Sequence, residues 1–186
     1  TVHSLCKLVS LFSDIQLTLI SPKELAMPDY IVEELRMAGN KVTVTDDLMH
    51  SISDIDIAYS TRIQEERFSN KEEADLYRGR YRLNQRIYTE HCQPNTVIMH
   101  PLPRDSREEA NELDNDLNAN PNLAIFRQAD NGVLVRMALF ALLMLMPDNP
   151  RSRKLPKTAT NCHPRLKSIR LLTSPASSPP ERLSPR

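Results

Sequence analysis

The sequence predicts an α/β fold: a three-layer, Rossmann-like domain with a mostly parallel sheet and helices on both faces, followed by a disordered C-terminal tail. Up to Met146, strand-like runs alternate with helix-like runs, a pattern typical of βαβ units. The strand-like runs are apolar on both sides, as expected for strands that helices cover on both faces of a sheet. Beyond Met146 the pattern stops. We therefore predict a domain at residues 1–146 and a basic, Pro/Ser-rich tail at residues 147–186.

The first part of the domain is predicted to alternate helix and strand. Apolar residues between Val2 and Phe12 recur at intervals of three and four, which suits an amphipathic helix. A second helix starts near Asp29 and ends at Gly39-Asn40, a typical C-terminal stop signal. Strands are predicted at residues 16–20, 41–45 and 55–60, with a short helix at 46–53.

The second part of the domain continues the alternation with a longer irregular segment. A polar helical region at residues 71–92, broken near Gly79, precedes a strand at 96–99. A loop rich in Asn and Asp then leads to a short strand at 123–126. The domain is predicted to end with an apolar helix at 133–146.

Charge and proline content separate the tail from the domain. The chain carries 24 basic and 24 acidic side chains. From Pro147 onwards there are nine Lys or Arg and only two acidic residues, Asp148 and Glu181. The tail therefore carries a net charge of +7, and residues 1–146 carry a net charge of −7. The tail also holds eight of the fourteen prolines. Such a segment buries too little apolar area to offset the entropy lost on ordering, hence the prediction of disorder.

Composition argues against several classes of protein. Three widely separated cysteines lack the spacing of a zinc or redox motif, which favours a reducing, cytoplasmic compartment. No charged-then-apolar leader is visible, and the apolar run 133–146 is shorter than the roughly 20 residues of a membrane-spanning helix. With three glycines, a Gly-rich phosphate loop is excluded. We expect no membrane association, no metal site and no cofactor.

The first candidate site follows the predicted strand at 55–60. Arg62 and Gln64 alternate, so in an extended loop both side chains face one side. A guanidinium binds a carboxylate bidentately, and an amide adds a directional hydrogen bond. Glu66 could accept from Arg62 and fix its rotamer, whereas Arg67 is interpreted as structural. An ordinary charged surface loop explains the spacing equally well, so both readings stay open.

The second candidate site follows the strand at 96–99. In His100-Pro101-Leu102-Pro103-Arg104 two prolines fix the backbone and remove two donors. The carbonyls of such a rigid segment are good acceptors for ammonium or amide protons. For His100 itself we favour a buried, hydrogen-bonded role. Ligands of open α/β sheets bind at the carboxyl ends of the strands, so the two strand ends are expected to share one site.

These segments together resemble aspartate carbamoyltransferases. The resemblance rests on the following matches, which occur in the order found in that family: residues 1–5 (Thr-Val-His-Ser-Leu), 26–28 (Ala-Met-Pro), 61–64 (Thr-Arg-Ile-Gln), Glu66-Arg67, 100–104 (His-Pro-Leu-Pro-Arg), 126–128 (Phe-Arg-Gln), Asn131-Gly132 and 136–139 (Arg-Met-Ala-Leu). The His-Pro-Leu-Pro-Arg run resembles the aspartate enzyme rather than the ornithine enzyme. Glu65 differs, because many members have lysine there.

The resemblance implies specific roles for individual residues. Arg62 and Gln64 would grip an aspartate carboxylate, and Thr1 stands where the family has a substrate-contacting threonine. Pro101, Leu102 and Pro103 would offer backbone contacts to carbamoyl phosphate and the attacking amine. The implied partners are therefore L-aspartate and carbamoyl phosphate, with a homotrimer as the complete assembly.

The resemblance covers only the aspartate-binding domain of that family. The carbamoyl phosphate domain, which carries the phosphate loop and the histidine that polarises the carbamoyl carbonyl, has no counterpart in these 186 residues. We therefore assign no catalytic residue within this chain alone and predict that the chain alone has no measurable transferase activity.

Two other hypotheses are compatible with the sequence. The chain could be a non-catalytic relative of the aspartate domain that acts as a regulatory or interaction module. The basic tail could also anchor nucleic acid through phosphate contacts. Because the tail lacks aromatic residues for base stacking, nucleic acid is not expected as a partner.

Overall fold

The computed structural model of the protein describes residues 1–105, 107, 110–145 and 168–172 of the chain. Its helices are α1 (Val2–Val9), α2 (Asp29–Met37), α3 (Lys71–Asp75), α4 (Gln85–His91) and α5 (Ile125–Leu145). Its strands are β1 (Gln16–Ile20), β2 (Lys41–Thr45), β3 (Ile57–Ser60), β4 (Val97–Met99) and β5 (Ser168–Leu172). Short 3₁₀ turns lie at Lys23–Leu25, Met49–Ser51, Glu65–Arg67 and Asn115–Ala119.

The five strands form one parallel sheet in the order β2-β1-β5-β3-β4. The bounds predicted for β1 and β2 are confirmed residue for residue, and β3 and β4 each start one or two residues later than predicted. β3 and β4 pair with Tyr59 opposite Met99, so both strands end at the same edge of the sheet.

Two apolar layers cover the two faces of the sheet. Successive strand residues point to opposite faces, and accordingly Ala58 packs in one cluster while Tyr59 packs in the other. One cluster joins α1 and α2 to β1 and includes Cys6, Leu17 and Leu35. The other cluster packs Tyr88 of α4 and Ile98 of β4 with the segments around them. The predicted three-layer α/β fold is thus confirmed.

Two of the predicted helices are shorter than expected. Residues 46–53 form only the 3₁₀ turn Met49–Ser51, and Asp47 accepts from the backbone N–H of His50 at 3.1 Å, the geometry of a cap. The region 71–92 splits into α3 and α4, and Gly79 adopts φ +68° between them. Asn70 and Asn84 cap the two helices by accepting from the N–H three residues later.

The strand predicted at residues 123–126 is wrong except for one bridge. Leu123 forms an isolated parallel bridge to Ile98, after which α5 begins at Ile125, eight residues earlier than predicted. The residues Ala124–Ala129 include Arg and Gln as well as Ala, all good helix formers. They therefore continue the helix through Gly132 rather than extend the sheet.

Part of the predicted disordered tail needs correction. Ser168–Leu172 forms β5, which lies between β1 and β3 and pairs with both in parallel register. Pairing on both edges satisfies the backbone N–H and C=O groups of this short strand. The overall composition of the tail gives no indication of such pairing. The rest of the tail, residues 147–167 and 173–186, lies outside the described residues, and so does Met146.

Helix α5 differs from the other helices because most of its large apolar side chains are exposed, although Ile125 at its start is buried. Large side chains along the helix are more than half exposed: Val133, Leu134, Val135, Met137, Leu139, Phe140, Leu142, Leu143 and Met144. Within the described part of the chain, no helix combines the length and apolarity that crossing a membrane requires.

Candidate functional site

Two loops leave the sheet at neighbouring strand ends. The first follows β3 and contains Thr61–Arg67, and the second follows β4 and contains His100–Pro103. Because β3 and β4 are paired parallel strands, the loops emerge side by side at the carboxyl edge of the sheet, where open α/β sheets bind ligands.

A pocket of about 310 Å³ lies between these loops and the start of α1. All six residues predicted to contact substrate line it: Thr1, Arg62, Gln64, Pro101, Leu102 and Pro103. Val2, Thr61, Arg67 and His100 complete its wall. The structure thus brings the two predicted strand ends and the first residue of the chain together around one cavity.

Arg67 is the pocket residue whose position sequence reasoning missed. The sequence predicts a structural role for it, yet it lines the pocket. The 3₁₀ turn Glu65–Arg67 folds the loop back and returns Arg67 to the side where Gln64 lies. The sequence signal was a second arginine close behind Arg62, whose direction depends on a turn that spacing alone does not predict.

Glu66 contacts Arg62 as predicted. Arg62 Nη2 donates to Glu66 Oε1 at 2.9 Å and Nη1 donates to Oε2 at 3.3 Å, a bidentate pair. The side chains are 45% and 53% exposed. The hydrogen bonds from Arg62 lower the pKa of Glu66, and the same bonds raise the pKa of Arg62. The guanidinium is therefore oriented but still borders water and the pocket.

His100 holds the second loop from inside the protein. Its backbone N–H donates to Gln128 Oε1 at 3.0 Å, and its Nδ1 accepts from the N–H of Leu102 at 2.9 Å. Since Nδ1 accepts, Nε2 carries the proton. Nε2 lies 2.7 Å from Glu112 Oε1, a close polar contact whose angle departs from that of a straight hydrogen bond.

The backbone between the two prolines has an uncommon conformation. Leu102 has φ +57°, a left-handed value rare for a side chain of this size, and the Leu102-Pro103 peptide is cis. The hydrogen bond to His100 Nδ1 holds Leu102 in this conformation. The loop therefore presents its carbonyls in a fixed direction.

Free thiols and side chains that can ligate a metal ion also occur among the described residues. Among residues 1–105, 107 and 110–145, His, Cys, Asp and Glu side chains do not gather in a group of three that could hold a metal ion. Cys6 and Cys92 are free thiols, and burial raises their pKa to about 12 and about 11. Neither is a reactive thiolate at neutral pH.

The fold and the pocket define a class: a Rossmann-like α/β domain with a polar pocket at the carboxyl edge of its sheet. A family profile described as "Aspartate/ornithine carbamoyltransferase, Asp/Orn binding domain" matches residues 1–143. Because the match covers most of the chain, the protein belongs to the aspartate/ornithine carbamoyltransferase family.

Several relatives with higher sequence identity are aspartate carbamoyltransferases. The catalytic subunit of Cellvibrio japonicus is 79% identical over 148 residues, which are 80% of this chain and 44% of that protein. The structure of the M. jannaschii catalytic subunit aligns with a TM-score of 0.67 at 36% identity, covering 80% of this chain and 45% of that one. The Trypanosoma cruzi enzyme in complex with carbamoyl phosphate aligns with a TM-score of 0.65 at 30% identity, covering 75% and 44%. This chain spans less than half the length of these relatives.

Proposed function

We propose that this chain is the aspartate-binding half of an aspartate carbamoyltransferase. The complete enzyme would convert carbamoyl phosphate and L-aspartate to N-carbamoyl-L-aspartate and phosphate in de novo pyrimidine biosynthesis. The observation that carries the proposal is the single pocket lined by Arg62 and Gln64 from one strand end and by Pro101–Pro103 from the next. Similarity to aspartate carbamoyltransferase catalytic subunits supports it.

In this proposal Arg62, Gln64 and Thr1 bind L-aspartate. Arg62 offers a planar pair of donors that matches a carboxylate, and Glu66 orients it. Gln64 supplies an amide, and Thr1, which also lines the pocket, supplies a hydroxyl. A cavity of about 310 Å³ suits a ligand of amino-acid size. Arg67 adds a second positive charge to the wall, as a dicarboxylic ligand requires.

The carbonyls of Pro101, Leu102 and Pro103 are proposed to contact carbamoyl phosphate and the attacking amine. Pro101 and Pro103 have no N–H, and the N–H of Leu102 is bound to His100. The loop therefore offers the pocket acceptors rather than donors. Acceptors suit the amide protons of a carbamoyl group and the protons of an amine.

The chain alone is proposed to be inactive, with catalysis in the longer enzyme. Amine attack on a carbonyl needs no cofactor, but the reactants must be positioned, which accounts for roughly 7–11 kcal/mol of a barrier. The relatives are more than twice as long as the matched segment. The exposed apolar side chains of α5 are typical of a surface that further protein covers. We propose a cytoplasmic homotrimer as the complete assembly.

The ligand-binding domain is proposed to comprise residues 1–146, with 147–186 as a separate tail. The family match over residues 1–143 supports the first boundary. β5 modifies the second part of this division, because Ser168–Leu172 belongs to the sheet of the domain. Removing residues 147–186 therefore also removes the central strand.

Calorimetry with a phosphonoacetyl-aspartate bisubstrate analogue tests the proposal on this chain and on an upstream-extended chain of the relatives' length. We expect this chain to bind L-aspartate weakly, the longer chain to bind the analogue much more tightly, and only the longer chain to form carbamoyl-aspartate. Turnover by this chain at the rate of the longer one would contradict the claim of inactivity. Failure of both chains to bind would favour a non-catalytic interaction module.

A further inference from the structure

A second set of contacts joins the two pocket loops outside the pocket itself. Glu65 lies in the first loop between Gln64 and Glu66, and its side chain is 25% exposed. Its carboxylate accepts from Arg107 Nη2 at 2.9 Å and Nη1 at 3.2 Å. It also accepts from Arg78 Nε at 3.1 Å and Nη2 at 3.3 Å. One carboxylate thus receives two guanidinium groups, each bidentately.

Arg107 is fixed in the segment that follows the second loop. Its Nε donates to Asp105 Oδ1 at 3.0 Å, and its Nη2 donates to Asp105 Oδ2 at 2.6 Å. The backbone N–H of Asp105 donates to both carboxylate oxygens of Glu112 at 3.3 Å. Glu112 in turn contacts His100, whose Nδ1 accepts from Leu102.

These contacts form a continuous path from the first loop to the second. The path runs from Glu65 through Arg107, Asp105, Glu112 and His100 to Leu102. Hydrogen bonds from Arg78 and Arg107 lower the pKa of Glu65, and those from Arg107 lower the pKa of Asp105. Both carboxylates therefore remain charged in neutral solution, and the part of the path from Glu65 through Arg107 to Asp105 is held by charge-assisted bonds.

We propose that Glu65 and Arg107 are a positioning pair that fixes the distance between the Arg62–Gln64 side of the pocket and the Pro101–Pro103 side. Neither side chain lines the pocket, so the pair acts through the loops and not on the ligand. Its effect on aspartate affinity rests on the function proposed above. Its effect on the second loop does not.

A double-mutant cycle tests the pair in the full chain. The variants are Glu65→Gln, Arg107→Gln and the double variant, each checked for folding by thermal unfolding. The amide resonances of Leu102 and Gln64 are followed by ¹H–¹⁵N NMR, and L-aspartate is then titrated. The Leu102 amide reports directly on its bond to His100, so it reports a displaced loop even where no ligand binds.

We expect each single variant to shift the Leu102 amide resonance and to weaken aspartate binding about threefold to fivefold, the range of a partly exposed ion pair. The double variant should lose less than the product of the two single losses, because both single variants remove the same Glu65–Arg107 contact. Glu90→Gln is the matched control: Glu90 pairs with Arg86 at 2.9 Å on the surface of α4, away from the pocket. It should change neither quantity.

Two results would overturn the pair as a positioning device: an unchanged Leu102 resonance in both single variants, or effects that multiply in the double variant. A wild-type chain that does not bind aspartate, but whose Leu102 resonance responds to Glu65→Gln, would contradict the proposed function and support the pair.

Discussion

The two sides of the pocket are each held by a carboxylate, but in different surroundings. Glu112 contacts His100 where both side chains are at most 3% exposed. Glu66 contacts Arg62 where both are about half exposed. A buried contact leaves its groups without an alternative partner, whereas water replaces an exposed one at little cost. The comparison indicates that Glu112 supports the backbone, while Glu66 orients a side chain that stays available to a ligand.

The largest predicted effect is on the buried side. Glu112→Ala removes the carboxylate that lies against His100 Nε2 and accepts from the Asp105 N–H. We expect the free energy of unfolding to fall by about 2–4 kcal/mol, because buried polar groups lose their partners. Urea unfolding measures this. A loss below about 1 kcal/mol would place Glu112 in the same class as a surface pair and remove the distinction between the two sides.

The next effect is on affinity at the exposed side. Arg62→Ala should weaken L-aspartate binding roughly 30-fold or more, because charge-assisted hydrogen bonds to the ligand are lost. Its unfolding free energy should stay within about 1 kcal/mol of the wild type, since Arg62 is half exposed.

Arg62→Lys is the matched variant for this prediction. It keeps the charge but loses the planar pair of donors, so its affinity should lie between those of the wild type and Arg62→Ala. Unchanged affinity in Arg62→Ala, measured by NMR titration, would show that Arg62 does not grip the ligand.

The buried but uncharged side chain of Asn40 distinguishes the effect of burial on stability from that of charge. Asn40 is 5% exposed; its Oδ1 accepts from the Ile15 N–H at 3.0 Å, and its Nδ2 donates to the Phe12 carbonyl at 2.9 Å. Asn40→Ala should lower the unfolding free energy by about 1–3 kcal/mol through two unpaired backbone groups. Urea unfolding of Asn40→Ala, measured together with Glu112→Ala, checks this expectation. A loss as small as that of an exposed pair would mean that burial alone does not set the cost.

Much of the fold follows from local sequence patterns. The strands around Leu17 and Val42 were predicted residue for residue, because apolar runs bounded by turn residues fix them locally. The start of α5 and the existence of β5 were not. Leu123 could form a bridge to Ile98 or belong to the helix that follows, and β5 depends on strand partners more than 100 residues away in the sequence. Such tertiary contacts cannot be predicted from a short stretch of sequence.

The candidate site divides in the same way. Arg62, Gln64 and the proline-flanked run were predicted because they directly follow strands, and strand ends of a parallel sheet share an edge. Arg67 was missed because a 3₁₀ turn sets its direction. The path from Glu65 to Leu102 cannot be predicted from sequence because its first contact joins Glu65 to Arg107, 42 positions apart, and no periodicity links its members.

The smallest predicted effect is that of Glu66. Glu66→Gln should change the unfolding free energy by less than about 1 kcal/mol at pH 7, because the pair is half exposed. Arg62 lowers the folded pKa of Glu66 below its ordinary 4.5. The small contribution is therefore complete above pH 4.5 and is lost as the pH falls through the lower folded value.

The affinity for L-aspartate distinguishes Glu66 from an ordinary surface carboxylate. We expect Glu66→Gln to weaken L-aspartate binding about twofold to threefold, because Arg62 loses a restraint on its rotamer. Glu90→Gln breaks an equally simple pair on α4 and should leave affinity unchanged. Unfolding at pH 7 and pH 3.5, with aspartate titrations at pH 7, checks both expectations. Equal affinities in the two variants would show that Glu66 is only a surface charge, and that Arg62 is oriented by its own loop.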